Sequence, residues 1–232
     1  MSQSYQPERL VAQGLCVERG GRRIVDGVDF DLSAGEALVV LGRNGAGKST
    51  LLRALAGHLR LSAGTVRFSA GDASAPLTEK AHYIGHADGL KAALTALENL
   101  EFWATMLGSA AKAPGALSPQ AALKKNGLAR IGDFPVGYLS AGQKRRVALA
   151  RLLVTHRPLW ILDEPATALD VVAQEQFAQT MAEHRANGGF IVAATHAPLG
   201  LVDAQELRLG VRPASGAKPT SSAVETSMGD WA

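Results

Sequence analysis

This 232-residue sequence has one cysteine, few aromatic residues and no long apolar run. Cys16 alone cannot close an internal disulfide, so a small secreted scaffold stapled by bridges is excluded and a reducing cytoplasm is the natural setting. Its neighbours Leu15 and Val17 are apolar, which points to a small buried side chain rather than a reactive thiol. No window approaches the ~18 uninterrupted apolar residues of a membrane span, so any membrane role must run through a partner. The opening MSQSYQPERL lacks the charged-then-apolar layout of a signal peptide. Aromatic residues make up only 5% of the chain, and the net charge of +3 comes from scattered Lys and Arg rather than a basic stripe beside stacking rings. No nucleic-acid partner is expected from that pattern.

With 47% hydrophobic and 19% charged residues, the composition is that of a globular chain. Its length fits one large domain, or one carrying an inserted subdomain. Residues 14–18 and 28–32 alternate apolar with polar side chains around a GGRR turn, which predicts an antiparallel layer. Ala37–Leu41 is an unbroken apolar run that ends in glycines, and a Leu- and Ala-rich helical stretch follows from Lys48 to about Leu59. Strand, loop and helix in that order open a parallel α/β core. From about Leu94 to Arg157 the periodicity is helical, and buried-strand character returns at 159–162 (LWIL) and at Phe190–Ala194. The expected layout is therefore a core at about 9–86 and 158–210, a helical insertion at about 87–157, and a Pro-, Ser- and Gly-rich tail at 211–232.

Gly42, Arg43, Asn44, Gly45, Ala46, Gly47, Lys48 and Ser49 match G-x-x-x-x-G-K-[ST] between a predicted strand and a predicted helix, with Thr50 next in line. Glycines let the backbone curl so that N–H groups point inward, and the helix presents its positive end to the same anion. Lys48 adds a point charge on the outer phosphates of ATP, and the Ser49 hydroxyl is a ligand for Mg²⁺. A glycine-rich turn opening an ordinary helix is the plain alternative, and the strand-to-helix context weighs against it.

Further on, LWILDEP sets two carboxylates where a buried parallel strand should emerge at its C-terminal edge, the edge at which such sheets bind ligands. Asp163 is expected to hold the metal, directly or through water. Glu164 is expected to orient the water that attacks the γ-phosphate. Acidic residues are also common at solvated strand ends, but the upstream phosphate loop favours the chemical reading.

Leu139-Ser140-Ala141-Gly142-Gln143 precedes a basic, apolar-periodic helix, and Ser140-x-x-Gln143 would cap that helix whatever its role. LSAGQ, then LDEP, then Thr167-Ala168-Leu169-Asp170, and Thr195-His196 after the FIVAA strand together resemble the motif series of ABC ATPases over about residues 9–210. That resemblance implies an ABC ATPase domain at 1–210: a P-loop NTPase (RecA-like) core with an antiparallel β layer and an inserted α-helical subdomain. It also implies a homodimer that sandwiches nucleotide, so that Ser140, Gly142 and Gln143 act on the partner's ATP, with His196 at the γ-phosphate.

YIGHADGLKAALTALENL (83–100), GLARIGDFPVGYLSAGQKRRVALARL (from Gly127), MAEHRANGG and THAPL are similar to the ATP-binding subunits of c-type cytochrome maturation systems. This narrower resemblance implies a multi-span permease partner, a peripheral position on the cytoplasmic face of the bacterial inner membrane, and a part in passing haem to a periplasmic chaperone. Two positions depart from the wider family. His86 stands where a glutamine usually contacts Mg²⁺ and the membrane partner, and Arg19 stands where an aromatic often stacks on adenine, a task a planar guanidinium can also perform. His82 and His86 have helical metal-pair spacing, but YIGH reads as a strand entering a loop, so no haem ligation is expected. Thr95 and Glu98 form a second capping box, opening a helix with Leu97, Leu100, Trp103 and Leu107 on one side. Phe102 or Trp103 is a candidate for the permease groove. An ABC ATPase serving another substrate is the nearest alternative; a soluble repair or translation factor would need two modules or a coiled-coil insertion, and a P-loop kinase needs no LSAGQ.

Overall fold

The computed structural model describes residues 8–71, 75–108 and 115–210; the expected tail at 211–232 lies outside them. Strands β1 (Arg9–Arg19) and β2 (Arg22–Ser33) form an antiparallel hairpin whose register closes at Arg19 and Arg22. Both run longer than their alternating segments suggest. Register shifts between Ala12 and Leu15, and again before Val17 and Glu18, break the two-residue period that a sequence reading relies on. At the first shift Gly14 takes φ 58°, and its N–H donates to Asp29 Oδ1 at 2.7 Å. On the other side β1 pairs with β4 (Ala63–Phe68), a strand too polar to stand out in the sequence.

A second, five-stranded sheet is parallel at each described pairing, in the order β5 (Ala81–Ile84), β6 (Leu159–Asp163), β7 (Phe190–Ala194), β3 (Ala37–Leu41), β8 (Gln205–Arg208). All residues of β6 and β7 are buried, which explains their continuous apolar runs. Helix α1 (Lys48–Leu55) ends four residues before the expected limit. Gly57 at φ 75° returns its N–H to Ala54 O, and His58 N–H reaches Arg53 O, a left-handed glycine stop that helical periodicity alone does not show.

The remaining α-helices are the short α2 (Leu77–Lys80), α3 (Ala96–Met106), α4 (Pro119–Lys125), α5 (Ala141–Val154) and α6 (Val171–Ala186), with a 3-10 turn at Val136–Tyr138. Three apolar clusters order the molecule. Leu51, Leu52 and Leu55 of α1 fill the space between the two sheets, against Leu10, Leu15, Leu38 and Phe190. Phe177 and Met181 of α6 cover the opposite face of the parallel sheet with Trp160 and Ile191. Ala96, Leu100, Leu123, Val147 and Val154 join α3, α4 and α5. Helix α5 belongs to two clusters, because Leu149 and Leu152 turn toward the sheet while Val147 and Val154 face the helices. Among the described residues no helix is long and apolar enough to cross a membrane.

Candidate active site

Three neighbouring strands, β6, β7 and β3, end at one edge and deliver the three motifs there. From β3 the chain turns through 42–47 into α1. Gly47 occupies the cap position of α1 at φ 100°, and a Cβ there would meet Ile24 O at 2.9 Å; at Gly42 it would meet Leu209 O at 2.8 Å. Only glycine suits both places. Gly42 and Ala46 pack on one another and on Leu209 at the base of the loop. No side chain caps α1 and no acid sits in its first turn, so its N–H groups are left for an anion.

Lys48 is 8% exposed. Its Nζ donates to Gly42 O at 2.8 Å and lies 3.0 Å from His196 Nε2, which is also 3.2 Å from Asn44 Oδ1. Lys48 needs Nε2 as an acceptor and Asn44 Oδ1 needs it as a donor, so that ring nitrogen serves one of the two at a time. Asp163 closes β6 at 3% exposure and makes no salt bridge among the described residues. Glu164 follows at φ 49°, a left-handed backbone that costs a non-glycine residue about 1 kcal/mol. Its N–H donates to Ala194 O at 2.8 Å, its Oε2 accepts from His196 N–H at 3.3 Å, and its Oε1 is 3.6 Å from His196 Nε2.

These groups line one cleft of about 730 Å³, together with Arg19, Arg43, Asn44, Gly45, Ser49 and Thr50. Arg19 reaches the cleft from the hairpin turn, with Gly20 and Ile24 beside it. Ser49 and Asp163, both lining the cleft, carry the hydroxyl and carboxylate donors suited to Mg²⁺. Among the described residues no group of three or more His, Cys, Asp or Glu could hold a metal. One carboxylate and one hydroxyl beside a phosphate cradle is a fitting set for Mg²⁺, which takes few protein ligands and completes its shell with phosphate oxygens and water.

Other expected residues lie elsewhere. Ser140 caps α5, accepting from Gln143 N–H at 3.2 Å while its own N–H donates to Gln143 Oε1 at 2.9 Å. Gly142 follows, so close to the turn after β6 that a Cβ would sit 2.8 Å from Ala168 O. Neither they nor Gln143 line the cleft of their own chain. His86, expected as a metal ligand, is exposed on the loop after β5 and is not a cleft residue. The chain on either side of it is tied to α5: Gly85 O and Asp88 Oδ1 both accept from Arg145 at 2.9 Å. His82 is a core residue whose Nε2 donates to Thr155 O at 2.8 Å, and burial pushes its pKa down to about 3. Phe102 and Trp103 are both half-buried. Trp103 Nε1 donates to Gly89 O at 3.0 Å, and the Arg151 guanidinium lies 4.2 Å from its ring centre. Cys16 is buried, as its neighbours suggest.

Sequence reading passed over Arg145. It lies two residues past Gln143 in a basic run that reads as helix surface, yet it is 4% exposed. Nothing local sets it apart from Lys144 and Arg146, because its acceptors lie far along the chain.

The family model described as ABC transporter matches residues 25–167. The chain is 50% identical over 201 residues to the "Cytochrome c biogenesis ATP-binding export protein CcmA" of Rhodopseudomonas palustris (strain BisB5), covering 87% of this chain and 98% of that one. It is 51% identical over 203 residues to the protein of the same name from Chelativorans sp. (strain BNC1), with the same coverage. Among solved structures it is similar to one titled "Structure of ATP binding subunit of ABC transporter", with TM-score 0.75, 27% identity, and 86% of this chain and 85% of that chain covered. A bacterial Atm1-family ABC exporter with ATP bound shares the fold at TM-score 0.70 over 88% of this chain and 37% of that one. The chain belongs to the ABC transporter family and, within it, to the cytochrome c biogenesis ATP-binding export proteins. It is an ATPase of the ABC type.

Proposed function

We propose that this chain hydrolyses ATP at the cleft between 42–49 and 163–164 to drive an ABC-type export complex in cytochrome c biogenesis. The observation that carries the reading is the meeting of Lys48, Glu164 and His196 within hydrogen-bond reach at the ends of three adjacent strands. The loop's backbone and the uncapped start of α1 bind the phosphates, and Lys48 neutralises the outer ones. Ser49 and Asp163 would hold Mg²⁺, which would offset phosphate charge. Glu164 accepts a hydrogen bond from the attacking water and aligns it, and His196 stands between that carboxylate and Lys48 to contact the γ-phosphate. Arg19 at the mouth stacks on the base through its guanidinium plane.

Ser140, Gly142 and Gln143 lie outside this cleft, which supports a homodimer in which each copy covers the other's nucleotide. The energy is delivered to a multi-span permease from a peripheral position on the cytoplasmic face of the inner membrane, for haem export or for release of a haem-loaded chaperone. His86, exposed on the loop after β5, is a contact for that permease rather than for the metal.

The test is Glu164→Gln. ATP affinity should stay within about twofold while turnover falls by roughly 100-fold or more, because only the water-aligning carboxylate is lost. Parental turnover would remove Glu164 from the mechanism. Mild-detergent purification of the tagged chain, with mass spectrometry of its companions, tests the pathway; a permease from another transport system would overturn it.

A further inference from the structure

The Arg145 guanidinium has five N–H donors, and each has an acceptor. Nε donates to Pro165 O at 3.0 Å, and Nη2 to Asp163 O at 3.1 Å and Glu164 O at 2.8 Å. Nη1 donates to Gly85 O and to Asp88 Oδ1, both at 2.9 Å. Three of the acceptors are consecutive carbonyls of the turn that carries Glu164 in its left-handed conformation. The other two belong to the loop after β5. Arg145 itself sits in the first turns of α5, close behind the Ser140 cap.

We propose that Arg145 is a positioning residue for ATP hydrolysis, fixing the Glu164 backbone and tying it to the 85–89 loop through Asp88. The inference rests on the reading of Glu164 as the water-aligning base. A planar fork with five donors fits five acceptors spread around it, and lysine, with three donors on one point, cannot serve them all. Strain at Glu164 persists only where surrounding structure over-determines it, and Arg145 supplies part of that constraint. Asp88 is the one charged acceptor of the five, and its side chain is 27% exposed beside the exposed His86 and Ala87, so a body pressing on that loop acts close to it. The same helix holds the loop's other end: Arg151 Nη2 donates to Tyr83 O at 2.6 Å, and the Arg151 guanidinium supports the Trp103 ring that bonds Gly89 O. Displacement of the loop therefore pulls on the carbonyls of 163–165.

The experiment compares Arg145→Lys, Asp88→Ala and the double variant in the full-length chain, with bound ATP per chain counted so that unfolded material is excluded. Arg145→Lys should lower kcat by about tenfold or more with KM for ATP within about twofold, since the phosphate loop is untouched. Asp88→Ala should lower kcat by about threefold, and the double variant should be no slower than Arg145→Lys alone, because both act through one connection. Parental kcat in Arg145→Lys, or losses that multiply in the double variant, would overturn the inference while Glu164→Gln remains inactive. Turnover by Glu164→Gln would instead overturn the reading beneath it.

Discussion

On one bank of the cleft, residues 42–49 hold themselves: Lys48 Nζ returns to Gly42 O, and Ala46 N–H to Arg43 O, within a single strand-turn-helix. On the other bank, Asp163 and Glu164 are held from a distance, by Arg145 on α5 and by Ala194 at the end of β7. The first bank depends on local backbone freedom. The second depends on the docking of α5 and the 85–89 loop, so events in the helical region can change the acid bank while leaving the phosphate loop intact. In the proposed mechanism, binding and hydrolysis are thereby supported by different parts of the chain.

Lys48→Ala gives the sharpest contrast to Glu164→Gln. It should weaken ATP binding by about tenfold or more in calorimetric titration, whereas the Glu164 variant binds and stalls. Equal loss of binding in both would erase the division between the banks.

Acid should strike the second bank first. His82 pins β5 to Thr155 at the end of α5, and its folded pKa of about 3 lies below the 6.5 of an unfolded ring. Between those values the unfolded chain binds the extra proton, so stability is fully present above pH 6.5 and is lost as pH falls toward 3. Each such histidine contributes about 1.4 kcal/mol per pH unit within that window. His184, stacked on Trp160 and pushed down to about 4 by burial, adds to the same slope. Urea denaturation at pH 7.5, 6 and 5 should show the decline, and His82→Asn should reduce it, leaving the part due to His184.

Gly47→Ala tests the local bank. The φ of 100° and the 2.9 Å approach to Ile24 O predict a loss of about 1–3 kcal/mol in thermal unfolding. Gly45→Ala, at φ 82° with nothing within 4 Å, should lose only about 1 kcal/mol. Similar losses would mean the loop tolerates contact with the hairpin.

The smallest effects come from the two capping boxes, which are equal in local geometry. Thr95→Ala and Ser140→Ala should each cost about 1 kcal/mol of stability. Only Ser140→Ala should also depress ATPase activity, measured at saturating ATP, because in the proposed homodimer that hydroxyl faces the partner's nucleotide.

Much of this was legible where the physics is local. β3 and β7 occupy the residues of their apolar runs, and both capping boxes close as their spacing implies. The true lengths of β1 and β2 were hidden by bulges. β4 and β8 carry mostly exposed or half-buried side chains, so no apolar alternation marks them. Arg145 was illegible for a different reason: burying a guanidinium is favourable only when its donors are satisfied, and its acceptors lie 18 to 60 positions away.

By itself the sequence determined the G-x-x-x-x-G-K-S loop, the acidic strand end, the starts of α1, α3 and α5, and the family, because each motif depends on residues within a few positions of one another. Tertiary structure alone decided that His196 meets Lys48 across 148 positions, that His86 faces outward, and that one buried arginine ties the turn of Glu164 to the loop after β5. Strand order in the parallel sheet and the packing of α5 set those meetings, and neither leaves a periodic trace along the chain.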